Sequence, residues 1–87
     1  MYKNKKISLV IPAYNEERLI KPTLENVPAE IDKVYVINDA STDNMVNVVK
    51  ACIQKDSRIT LLNHRKNFGV GAGIVTGYLK SAKEGYD

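Results

Sequence analysis

A three-layer α/β fold built on a parallel sheet is what this sequence predicts, on three observations. Short β-branched runs alternate with segments of helical period, three of each, in the order β-α-β-α-β-α. The runs are apolar enough to be buried on both faces, as strands of a parallel sheet are. Each run ends in a short polar or glycine-containing segment: "PAYNEE", "NDASTD" and "NHRKNFGVGAG". Right-handed crossovers bring the carboxyl ends of such strands to one rim, where ligands bind in open α/β sheets.

The first strand is Ile7-Ser8-Leu9-Val10-Ile11, closed by Pro12. Leu19, Ile20, Leu24 and Val27 then recur at helical spacing. Pro22 lacks an N–H and is tolerated only in a first turn, so this helix should begin between Leu19 and Lys21. Tyr14, Asn15 and Glu16 are left in the strand-to-helix loop. Val34 to Ile37 is the second strand, followed by a helix carrying Val46, Val49 and Ile53, with Ser41, Thr42 and Asp43 as N-cap candidates. Arg58 to Leu62 is the third strand. Ala72, Val75, Leu79 and Ala82 mark a third helix that stops at Gly85.

Eighty-seven residues support one small core. With 44% hydrophobic and 26% charged residues the chain falls outside the disordered class. The net charge of +3 comes from scattered Lys and Arg, apart from Lys3-Lys5-Lys6 and His64-Arg65-Lys66, which argues against a nucleic-acid partner. The single Cys52 excludes an internal disulfide, suits a reducing compartment and reads as core-facing helix filler. The opening "MYKNKKISLVIPAY" has the outline of a signal peptide, but Pro12 interrupts it and Asn15-Glu16-Glu17 replaces a cleavage site. No stretch approaches the ~18 apolar residues of a membrane span. A soluble, cytoplasmic chain is expected.

At the rim, Asp39 follows the second strand directly. Its short carboxylate can accept hydrogen bonds from a ribose hydroxyl or a base N–H; equally, Asn38 and Asp39 can close an Asx turn. Asp43 reads as a helix cap. Tyr14 offers a flat face for stacking on a base and Glu16 an acceptor for its polar edge. Taken singly, both residues also fit packing over the sheet end and a first-turn carboxylate favoured by the helix dipole. Gly71, Gly73 and Gly77 fall inside a helical pattern, each at a cost of roughly 1 kcal/mol relative to Ala. Close approach of the helix to a phosphate or to the sheet would offset that cost. The dinucleotide glycine fingerprint fails, because its third position is Ile74 or Thr76. His64, Arg65 and Lys66 read as a solvated basic surface, and a lone His64 is neither a metal site nor assigned a catalytic role.

Together, "SLVIPAYNEE", "VYVINDASTDNM" and "NFGVGAGIVTGYLKSA" resemble the three opening motifs of the family 2 glycosyltransferases, in the same order and spacing. These are inverting enzymes of the nucleotide-diphospho-sugar transferase (GT-A) fold, whose N-terminal half is a Rossmann-like parallel sheet. The resemblance implies that Pro12, Tyr14 and Glu16 line a nucleotide pocket and that Ile37 and Asp39 hold the base or ribose. It places Lys66, Asn67 and Gly69 near the donor, a UDP- or GDP-sugar. The variant with Pro22 and Gly-Val-Gly is similar to polyprenyl-phosphate sugar transferases such as the dolichol-phosphate mannose synthases, which implies an acceptor of that class or a polysaccharide, met at the cytoplasmic face of a membrane. The family's usual glycine before the Ser-Thr-Asp triplet is Ala40 here, tolerable unless that turn needs a positive φ.

The family also has a fourth strand ending in an Asp-x-Asp motif that binds a divalent metal, Mg or Mn, on the donor diphosphate. Residues 1–87 are therefore expected to be the nucleotide-binding part, truncated before that strand, with no catalytic residue of their own and inactive alone. Strand one pairs with the fourth strand in the family, so its apolar edge from Ile7 to Ile11 is expected to recruit a second copy of the chain. The main alternative is a non-catalytic, flavodoxin-like interaction module, which would need five strands where three fit.

Overall fold

The computed structural model describes residues 5–64 and 70–86. The order is β1 (Ser8–Ala13), α1 (Ile20–Glu25), β2 (Lys33–Asp39), α2 (Met45–Lys55), β3 (Ile59–His64) and α3 (Val70–Lys83). The strands form one parallel sheet in the order β1-β2-β3. Its register runs from Ser8 opposite Lys33 to Ala13 opposite Asn38, and from Val34 opposite Ile59 to Asp39 opposite His64.

Strand side chains alternate between faces, and the sequence uses both. On one face Ala13, Val34, Val36 and Ile59 pack with Ile20, Leu24, Met45, Val49 and Cys52 of α1 and α2. On the other, α3 lies across β1 and β2. There Tyr35 donates its hydroxyl hydrogen bond to Glu84 and meets Tyr86 edge-to-face, ring centroids 6.2 Å apart. Burial first, and then that bond, pushes the Tyr35 hydroxyl far above its ordinary pKa, while the same bond holds Glu84 below the usual carboxylate range.

The packing of α3 on β1 explains two of its glycines. A Cβ at Gly73 would stand 2.8 Å from Pro12 Cβ, and one at Gly77 would stand 2.2 Å from Val10 Cγ1. Four residues further on, Ser81 Oγ hydrogen-bonds Ser8 Oγ at 2.6 Å. Four helical residues rise about 6 Å and two strand residues about 6.6 Å, so positions 73, 77 and 81 fall in step with 12, 10 and 8. The close approach that offsets the glycine cost is therefore to the sheet. Gly71 has no atom within 4 Å of its would-be Cβ.

The helices lie close to expectation. Pro22 sits in the first turn of α1, Cys52 is buried in α2, and α3 ends at Lys83, two residues ahead of Gly85. Gly85 has φ +86°, with Tyr86 N–H donating to the Ser81 carbonyl at 3.0 Å and Gly85 N–H to the Ala82 carbonyl at 3.1 Å, a Schellman ending. All three strands run past their expected ends: β1 starts at Ser8 and continues through Pro12, which was expected to close it, to Ala13. β2 continues through Asn38 and Asp39, and β3 starts at Ile59 and continues through Asn63 and His64. The polar extensions are mutually satisfied: Asn38 Nδ2 donates to Asn63 Oδ1 at 2.9 Å, and Asp39 pairs with His64. No helix among the described residues is long and apolar enough to cross a membrane.

Candidate functional site

The loops after β1 and β2 meet at the carboxyl rim, and Asn15 joins them. Its Oδ1 accepts from the backbone N–H of Thr42 at 2.7 Å and of Asp43 at 3.3 Å, while its own N–H donates to Ser41 Oγ at 3.0 Å. Glu17 Oε1 accepts from the Asn44 N–H at 3.0 Å. Asp43 works in both directions: Oδ1 accepts from the Met45 N–H at 3.0 Å, serving the start of α2, and Oδ2 accepts from the Glu17 N–H at 3.1 Å. The N-cap position itself falls to Asn44, which makes no side-chain capping bond, so Asp43, the expected cap, stands one residue ahead of it and ties the start of the helix to the β1–α1 loop. Ser41 and Thr42, the other cap candidates, are engaged with Asn15.

Two residues in this knot have positive φ, Asn15 at +50° and Ala40 at +60°. Asparagine adopts that region readily, whereas alanine does so at a cost. The turn before Ser41-Thr42-Asp43 therefore does need the left-handed conformation that a glycine at position 40 would take without strain. Asn38 Oδ1 accepts from the Ser41 N–H at 3.0 Å, a bond that spans three residues and holds the turn in place of the expected Asx turn, whose bond spans two.

Tyr14 and Glu16 line one open depression of about 710 Å³ with Asn15, Glu17, Arg18, Leu19 and Asp43. Tyr14 is 45% exposed, so its ring face is available to a ligand. Asp39 lies at the end of β2 on the α3 face of the sheet. Its side chain is 6% exposed, and its Oδ1 lies 2.9 Å from His64 Nδ1. His64 Nε2 in turn lies 2.8 Å from Thr76 Oγ1 on α3. Pro12 and Ile37 are register partners beneath Gly73; Ile37 is fully buried there, covered by α3 and outside the lining of the open depression. Lys66, Asn67 and Gly69 lie outside the described residues.

His64 was the residue that composition misjudged. It is a strand residue with an 11% exposed side chain, paired with Asp39, and not part of a solvated basic loop. The signal that finds it is register: in a parallel ladder with Val34 opposite Ile59, position 64 faces position 39. Among the described residues no three His, Cys, Asp or Glu side chains gather closely enough to hold a metal ion. What the rim does offer is recognition chemistry: an aromatic face, carboxylate acceptors and a fixed loop pair.

α1 and α2 pack on one face of the sheet, and α3 crosses to the other, over β1 and β2.

The sequence matches the profile of "Glycosyl transferase family 2" over residues 8–84. It is 35% identical over 88 aligned positions to a dolichyl-phosphate β-glucosyltransferase of Trichomonas vaginalis, covering 88% of this chain and 26% of that protein. It is 30% identical to a UDP-N-acetylglucosamine–dolichyl-phosphate N-acetylglucosaminyltransferase of Methanococcus voltae, covering 97% of this chain and 39% of that protein. Among solved structures, a mannosyltransferase of Pyrobaculum calidifontis in complex with GDP-Man and Mn²⁺ superposes with a TM-score of 0.76 at 23% identity, over 86% of this chain and 24% of that one. The last shares the fold, a GT-A glycosyltransferase architecture. The chain thus spans between a quarter and two fifths of the length of the proteins it matches, and with nearly all of its own length inside the family profile it belongs to glycosyl transferase family 2.

Proposed function

We propose that these 87 residues are the donor-nucleotide-binding part of an inverting glycosyltransferase. Tyr14 stacks on the base, Glu16 and Asp39 accept hydrogen bonds from the base or ribose, and Pro12 and Ile37, packed under α3, hold the strand ends that carry Tyr14 and Asp39. Lys66, Asn67 and Gly69 are assigned to the donor diphosphate side by family position alone. The observation that carries this reading is the convergence at one rim of the Tyr14–Glu16 depression, its tie through Asn15 to the β2–α2 loop, and the Asp39 carboxylate at the adjoining strand end.

The donor is a UDP- or GDP-sugar; one relative is named for UDP-N-acetylglucosamine, and the structural neighbour was solved with GDP-Man. The acceptor is a polyprenyl phosphate, in line with the dolichyl phosphate in the names of both relatives, and is met at the cytoplasmic face of a membrane. Inverting transfer needs a base at the acceptor and stabilisation of the leaving diphosphate. We assign those groups, with the Mg or Mn site, to parts of the longer enzymes other than the rim described above. The open edge of β1 pairs with a second copy of the chain when nothing else covers it.

Calorimetric titration with UDP, GDP, dTDP and NADH tests the reading. Selective binding of one nucleoside diphosphate, lost in Asp39→Ala, is the expected result. Selective binding of NADH, or equal binding by wild type and Asp39→Ala, overturns it.

A further inference from the structure

Asp39 does not stand alone at the strand end. Its Oδ1 meets His64 Nδ1 at 2.9 Å, and His64 Nε2 meets Thr76 Oγ1 at 2.8 Å. The three groups come from β2, β3 and α3, so the chain of bonds ties the sheet end to the helix that covers it. An ionised carboxylate only accepts, which puts a hydrogen on Nδ1; in the neutral ring Nε2 then accepts from the Thr76 hydroxyl. Both ring nitrogens are thus committed, and the imidazole plane is set from both ends.

A carboxylate on its own can swing about its terminal torsion, which is broad. Discrimination between bases depends on where its oxygens lie, because a donor pattern displaced by even a fraction of a hydrogen-bond length is no longer matched. A carboxylate has about four acceptor positions, and the bond from His64 sets the plane in which all of them lie.

We infer that His64 is a positioning residue for nucleotide selectivity: braced by Thr76, it holds the Asp39 carboxylate in the one orientation that reads the donor base. This rests on the assignment of Asp39 to the nucleotide given above. It adds a residue that neither composition nor motif spacing singled out, in a role exercised wholly through Asp39.

The test is base selectivity in the 87-residue chain, titrated with UDP, GDP and dTDP, for wild type, Asp39→Ala, His64→Leu, His64→Asn and Thr76→Val. Asparagine places an amide N–H where the imidazole carries Nδ1–H; leucine fills similar space without a donor. Circular dichroism checks that each variant is folded, and Thr76→Val, a half-buried change on α3, tests the brace without altering the sheet. His64→Leu should weaken binding of the preferred nucleotide about tenfold, the scale of one hydrogen bond to a charged group, and leave the others nearly unchanged. His64→Asn should restore most of the preference, and Thr76→Val should lose about threefold. A purely structural role would weaken all three nucleotides alike and give Asn no advantage over Leu, which overturns the proposal while leaving the nucleotide reading intact. Retained selectivity in Asp39→Ala, or binding of none of the three by wild type, overturns the nucleotide reading and this proposal with it.

Discussion

Gly77→Ala should destabilise the chain by about 2 kcal/mol although alanine is the better helix former. The new Cβ would stand 2.2 Å from Val10 Cγ1, 2.9 Å from Cγ2 and 3.1 Å from Cβ. Ordinary carbon contacts lie near 3.5–4.0 Å, so more than ~1 Å must be found. Rotating Val10 gives little, because its χ1 is stiff and its Cβ is itself too close. The helix must lift instead. Lifting it opposes the Ser8–Ser81 hydrogen bond on one side and the seating of Gly73 over Pro12 on the other. Overpacking of this kind costs about 1–3 kcal/mol, and the rigid surroundings put this site near the upper end. Removing a helical glycine returns roughly 1 kcal/mol. The net loss of about 2 kcal/mol corresponds to a fall in Tm of about 8–16 °C for a domain this size. Urea and thermal unfolding measure it, and a double-mutant cycle with Val10→Ala, which deletes both γ carbons, should show a coupling of at least about 1 kcal/mol. Wild-type stability in Gly77→Ala, or additivity in the cycle, would refute the argument that the helix–strand approach sets this residue.

Other expectations follow from the same structure. Gly71→Ala, where the added methyl meets nothing within 4 Å, should be neutral to stabilising by up to about 1 kcal/mol in the same unfolding assay. Ala40→Gly relieves a φ of +60° and should raise stability by up to about 1 kcal/mol, the loss of left-handed strain being partly offset by a more flexible unfolded chain; a fall in stability would show that the turn is not strained. Stability should decline as pH falls below about 4, because the hydrogen bond from Arg58 holds Asp56, and that from Tyr35 holds Glu84, below the usual carboxylate range. Folding then releases protons from groups that the unfolded chain keeps protonated, and Asp56→Asn should flatten this acid limb. At the other end, the raised Tyr35 pKa makes stability fall as pH rises above about 10, and Tyr35→Phe should remove that slope. Sedimentation of the chain over a range of concentrations should show reversible dimers through the β1 edge, and a monomer at every concentration would remove that part of the proposal.

What the sequence determined by itself was the order of elements, their parallel arrangement, and the convergence of the segments after β1 and β2 at one rim. Hydrophobic period is a local property, and apolar runs at Ile7 to Ile11, Val34 to Ile37 and Ile59 to Leu62 announce strands without reference to their neighbours. The helix-ending Gly85 and the first-turn Pro22 were legible for the same reason, since φ limits and missing donors act within a few residues. Only the tertiary structure decided what depends on register. It carried β2 and β3 past their apolar runs because Asn38 finds Asn63 and Asp39 finds His64 across the ladder, pairs separated by 25 residues in sequence. It also chose between phosphate and sheet as the reason for Gly73 and Gly77, because that choice turns on the helical rise matching the strand rise beneath it. Ala40 showed the same division: the motif named the position, but only the folded turn revealed a backbone that alanine enters at a cost.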